Sequence, residues 1–124
     1  MKKFIRVLVI GFSSFVILNA CNSNITSATV VGVYQTKVNY GAGVLGLSPS
    51  GKYSQTFTYV SGKKVTNSGK WLFMAPNSVS LDNAVTINAN GLDRSNWSLQ
   101  VNSLGSKKWI EYDPDQGGIY HKIK

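Results

Sequence analysis

Residues Tyr53–Val60 read YSQTFTYV. Tyr53, Gln55, Phe57 and Tyr59 alternate with Ser54, Thr56, Thr58 and Val60, and a period of two marks a strand with one face turned inward. The pattern returns where Trp97, Leu99 and Val101 alternate with Ser98, Gln100 and Asn102. Shorter runs lie at Val30–Val38, Val44–Leu47, Trp71–Met74, Val79–Leu81, Val85–Ile87, Trp109–Tyr112 and Ile119–Ile123. They are rich in Val, Ile, Thr and aromatic residues, which pleated, half-buried surfaces favour.

Turn chemistry separates these runs. Pro49-Ser50-Gly51, Ser61-Gly62-Lys63, Ala75-Pro76-Asn77, Asn90-Gly91 and the stretch Asp113–Gly118 all supply residues that preset φ or accept positive φ. No helical periodicity of useful length follows Cys21. Short strands at this spacing predict an all-β fold, a small antiparallel β-barrel or sandwich of about seven to nine short strands. It follows an N-terminal signal segment.

That segment is residues 1–20. Lys2, Lys3 and Arg6 precede an apolar stretch, Val7–Leu18. Twelve helical residues span only about 18 Å, short for a bilayer core of about 30 Å but suited to a signal peptide. The only cysteine of the chain, Cys21, follows Ala20 directly. Leu18-Asn19-Ala20-Cys21 resembles the lipobox of bacterial lipoproteins, which implies cleavage between Ala20 and Cys21 and acylation of the Cys21 thiol. Two or more acyl chains hold a protein at a membrane stably where one does not. A lone thiol has no intramolecular disulfide to form, so its reading is an attachment point.

Residues 21–29 then read as the lipidated cysteine and a polar tether with a mean reach of about 15 Å, and residues 30–124 as one all-β domain. The resemblance places the protein on the periplasmic or outer side of the cell envelope. Asn22, where an aspartate would favour inner-membrane retention, points by the same resemblance to the outer membrane if the cell is Gram-negative. The 13 basic and five acidic residues give a net charge of +8. Three of the basic residues belong to the leader, so the mature balance is +5.

In the body, Gly32-Val33-Tyr34, Gly51–Phe57, Ser68-Gly69-Lys70-Trp71 and Tyr120–Ile123 fall in an order similar to that of small exported bacterial proteins. More distantly they are similar to lipocalin-like barrels. Tyr34 stands where lipocalins favour tryptophan, and the CxxC of copper-stress-type barrels is absent. The resemblance implies a fold and transfers no site residues.

Little else carries chemistry. His121 is the only histidine, and its place on a terminal strand reads as solvated. The loop with Asp113, Asp115 and Gly118 misses a calcium-binding pattern, because Gly117 and Lys124 fall where ligands are required. Asp82 and Asp93 read as turn residues and Glu111 as isolated, so no carboxylate pair has acid–base spacing. No catalytic residue, metal site or cofactor is expected. Trp71, Trp97 and Trp109 read as core rather than as a stacking platform.

Lys63, Lys64, Lys107 and Lys108 are the candidate partner contacts; they could equally blunt strand edges or meet anionic headgroups. The function expected is that of a non-enzymatic, lipid-anchored envelope protein. It would contact an envelope protein or polymer through loops and edges, with no nucleic acid partner. The alternatives are a lipocalin-like binder of a small apolar or amphipathic ligand and, least favoured, an envelope hydrolase. Eight rings, those of Tyr34, Tyr53, Phe57, Tyr59, Trp71, Phe73, Trp97 and Trp109, are expected to fill an eight-stranded interior, at about 150–250 Å² buried each.

Overall fold

The computed structural model describes residues 25–88, 91–113 and 117–124. The leader, Ala20 and Cys21 lie outside the described residues, as does Asp115. One short helical turn, α1 (Ser27–Val30), precedes eight strands: β1 (Gly32–Val38), β2 (Gly41–Leu47), β3 (Lys52–Tyr59), β4 (Lys64–Met74), β5 (Ser78–Asn88), β6 (Gly91–Leu104), β7 (Lys107–Asp113) and β8 (Gly118–Lys122). Each strand pairs antiparallel with the next and β8 returns to β1, giving a closed up-and-down barrel.

Strand alternation builds the wall as the sequence predicts. Tyr53, Gln55 and Phe57 are buried, while Lys52, Ser54 and Thr58 face out. Two of the nine runs merge: Val79–Leu81 and Val85–Ile87 are halves of β5, interrupted where the register shifts between Leu81 and Ala84. Asn83 takes a positive φ of 48° there, a conformation asparagine tolerates better than most residues.

β2, with sequence GAGVLGL, shows why glycine sits opposite an aromatic. Gly43 pairs with Phe57, and a Cβ on Gly43 would stand 2.5 Å from the Thr56 carbonyl and 2.7 Å from the Phe57 ring. Gly43→Ala is therefore expected to cost about 1–3 kcal/mol in chemical denaturation. Trimming Phe57 should not relieve it, since the Thr56 carbonyl is main chain; full rescue by Phe57→Leu would refute this account.

Residues 25–30, assigned in part to the tether, are an ordered turn. Thr26 and Thr29 form a reciprocal capping box, with Thr29 N donating to Thr26 Oγ1 at 3.2 Å and Thr26 N to Thr29 Oγ1 at 2.8 Å. The turn holds because its apolar residues have a core to meet. Val30 is fully buried and Ile25 packs against the same cluster.

Closure also alters the expectation of free edges. β1 and β8 pair through Tyr34–Lys122 and Gln35–His121, and Val33 N donates to Lys124 O at 2.8 Å. The terminal strands thus present no free edge over these residues. Lys107 and Lys108 pair with β6, but the β7–β8 ladder begins only at Trp109–His121, so edge protection remains a sound reading for them. The β4–β5 ladder likewise covers only Trp71–Met74 against Ser78–Leu81. From Lys64 to Lys70, β4 is laddered to β3, so edge protection remains a sound reading for Lys64.

Candidate functional site

In an up-and-down barrel, alternate turns share an end. One end, called proximal here, gathers α1, the start of β1, the β2–β3, β4–β5 and β6–β7 turns, and the end of β8. The distal end gathers the β1–β2 and β3–β4 turns with the outer ends of the remaining hairpins. Lys63 and Lys64 therefore stand at the distal end and Lys107 and Lys108 at the proximal one. The four do not form one patch.

The interior is filled. Tyr34, Phe57 and Tyr120 are fully buried and Tyr53 nearly so. The Phe57 and Tyr59 rings meet edge-on at 4.9 Å, and Tyr112 lies 4.8 Å from Tyr120. Three tyrosine hydroxyls find partners: Tyr34 donates to Val30 O of the helical turn at 2.7 Å, Tyr53 to Asp82 O at 2.7 Å and Tyr40 to Asp113 Oδ2 at 2.9 Å. Burial pushes each of these phenols above its ordinary range; at Tyr40 the bond to Asp113 adds to that effect.

Four of the eight expected interior rings lie deep, those of Tyr34, Tyr53, Phe57 and Trp71. Phe73 and Trp97 are partly buried against the same core, and Tyr59 is partly buried with its hydroxyl donating to Asn88 O at 3.2 Å. Trp109 is the exception. Ile110 is fully buried, so the pleat turns its neighbour Trp109 outward, where it pairs with exposed His121. Tyr120 supplies an interior ring absent from the expected set.

On the outer wall, Trp109 floors a groove of about 620 Å³ with Ser106, Lys107, Lys108, Ile119, His121 and Lys122. Lys122 Nζ donates to Thr29 O at 3.0 Å. Burial and then the neighbouring Lys108 charge push its pKa down. A second groove of about 390 Å³ lies across the β1–β8 seam and shares Ile119 and His121. His121 thus stands between two surface grooves, solvated as the sequence implies. Among the described residues no group of three or more His, Cys, Asp and Glu could hold a metal ion.

What sequence reasoning missed is the clustering at the proximal end. Lys52, Lys107, Lys108, Lys122 and Lys124 lie there, at the same end as large apolar side chains left exposed, Leu72, Met74, Leu104 and Ile123. Comparison with protein-family models, with curated proteins and with solved structures finds no match for this chain. No helix among the described residues is long and apolar enough to cross a membrane.

Proposed function

We propose that the chain is a lipid-anchored cell-envelope interaction protein, non-enzymatic, that engages a macromolecular partner with its outer surface and loops. The observation that carries this reading is the occupied interior. Gln55, at 1% exposure, and the fully buried rings of Tyr34, Phe57 and Tyr120 stand where a lipocalin-like ligand would lie. Small-molecule sites need concave, largely apolar space of about 300–1,000 Å³. The grooves of that size described above open on the outer wall. The distal turns, with Lys63 and Lys64 exposed, offer polar, adaptable contacts.

Anchoring rests on the sequence. Cys21 should carry acyl chains and become the mature N-terminus, so metabolic labelling with a fatty-acid analogue should mark the wild-type chain at Cys21. Cys21→Ser should abolish the label and leave either an unlipidated precursor or a soluble species. An unlabelled wild-type Cys21 would remove the anchor from the proposal. Native mass spectrometry of the same preparation addresses the alternative: a stoichiometric apolar ligand retained by the barrel would favour the lipocalin-like reading.

A further inference from the structure

We infer that the proximal end of the barrel is a docking surface for anionic phospholipid headgroups, so that the protein stands end-on at the membrane and turns its distal loops outward. The inference takes the lipid anchor from the reading above; the surface itself comes from the fold.

Three independent features converge on this end. The first is where the chain joins the barrel. Ile25 and Val30 pack into the core at the proximal end, and α1 shares a groove with Pro49, Trp71 and Phe73. Only four peptide units separate Cys21 from Ile25, a span of at most about 14 Å. An acyl anchor on Cys21 would hold this end at the bilayer.

The second feature is the separation of charge. Lys52, Lys107, Lys108, Lys122 and Lys124 lie at the proximal end, whereas the carboxylates of Asp82, Glu111 and Asp113 stand at mid-barrel or beyond. The proximal end thus has no side-chain carboxylate among the described residues to neutralise it. Burial and then the Lys108 charge weaken the hold of Lys122 on its proton, and an intervening anion would relieve the like-charge part of that. Basic side chains are drawn to an anionic leaflet within about one Debye length, near 8 Å at physiological salt, and the short tether keeps them in that range.

The third is exposed apolar surface at the same end of the barrel. Leu104 is 73% exposed at the tip of the β6–β7 hairpin, with Leu72, Met74 and Ile123 also open to solvent. Trp109 lines the groove between the lysines, and an amphipathic indole beside basic residues suits the headgroup region. Basic residues interleaved with exposed Leu, Ile and Trp make a surface that binds lipid by charge and by shallow apolar insertion together.

The test uses the full chain reconstituted into vesicles of brominated phosphatidylcholine, with and without phosphatidylglycerol. It follows quenching of the Trp109 fluorescence, obtained as the difference between wild type and Trp109→Phe. Bromine at the bilayer should quench Trp109 when phosphatidylglycerol is present. Lys107→Gln with Lys108→Gln should weaken docking about 25-fold, at roughly fivefold per lysine on an anionic surface. Lys63→Gln with Lys64→Gln, at the distal end, should leave it unchanged.

Circular dichroism establishes that each variant is folded, and fatty-acid labelling of Cys21 is read on the same sample. A labelled chain that floats with the vesicles while Trp109 stays unquenched overturns the docking surface and keeps the anchor. Quenching without label keeps the surface and removes the anchor. Equal loss in both lysine pairs means unspecific attraction by net charge, and also overturns the surface.

Discussion

Gln55→Leu is expected to lower the stability of the barrel by about 4 kcal/mol, because it strips two buried main-chain groups of their partners at about 1–3 kcal/mol each and removes a third contact. Past Leu81, β5 leaves its ladder with β4, and the Gln55 amide from β3 takes over. Its Nε2 donates to Val85 O at 3.0 Å, and Val85 N donates to its Oε1 at 2.9 Å. Asn67 Nδ2 adds a bond to the same Oε1 at 3.0 Å. The side chain thereby supplies the two bonds of a missing ladder rung.

Leucine matches glutamine roughly in volume and would improve burial, so a purely hydrophobic account predicts a neutral or stabilising change. A loss of this size consumes a large part of the 5–15 kcal/mol, or about that, which holds a typical domain together. Denaturant titration decides between the two, and an unchanged midpoint would sink the ladder-rung account. Asn67→Ala should cost less, since its amide also bonds Tyr53 Oη at 3.1 Å and Asn83 O at 3.1 Å but satisfies no main-chain N–H.

The wall of the barrel is legible in the sequence wherever large inward side chains alternate with small polar ones. Tyr53–Val60 and Trp97–Asn102 are such places, and both become strands with the expected faces. The pattern fails for physical reasons elsewhere. β2 opens with Gly41, Ala42 and Gly43, and the first half of β4 consists largely of Ser, Thr, Asn, Gly and Lys. Their inward positions are kept small because Phe57 and Tyr53 lie across them: a Cβ on Gly69 would stand 2.9 Å from the Tyr53 ring. Alternation cannot show a strand whose inward residues have given up their volume to a neighbour.

Trp109 is a different failure. In Trp109-Ile110-Glu111-Tyr112 three large side chains compete for two inward places, and size alone favours the tryptophan. The charge on Glu111, one pleat away on the same face as Trp109, was the signal that this face points to solvent. The proximal surface needed still more. Lys107 and Lys108 are visible as a pair, but their company with Lys52 and Lys122 depends on the number of strands between them. That number changed when the break at Asp82 and Asn83 became a register shift within one strand.

Alkaline pH should unfold this barrel cooperatively, through its tyrosines. The chain has six tyrosines, and burial pushes the pKa of every one upward. For Tyr120, the most deeply set, the neighbouring Tyr112 adds to the effect of burial. A phenol in an unfolded chain loses its proton near pH 10, or about that value, while the folded barrel keeps the proton on. Above that pH the unfolded state binds fewer protons than the folded one, so stability falls as pH rises.

The contribution is fully present below about pH 10 and is lost on the way up to the folded pKa. Tyr34 and Tyr120, both fully buried, remove about 1.4 kcal/mol each per pH unit, and the other four act in the same direction. A typical domain stability is then exhausted within about two pH units. Tyrosinate absorbance and far-ultraviolet circular dichroism should change together in one step; separate titration of the phenols near pH 10 with the dichroism intact would refute the prediction. Two variants separate titration from packing. Tyr120 Oη finds no hydrogen-bond partner among the described protein groups, so Tyr120→Phe should move the alkaline midpoint upward without loss at neutral pH. Tyr34→Phe should move it upward too, but at a neutral-pH cost of about 1 kcal/mol, because the hydroxyl it removes is the one that ties β1 to Val30 of the helical turn.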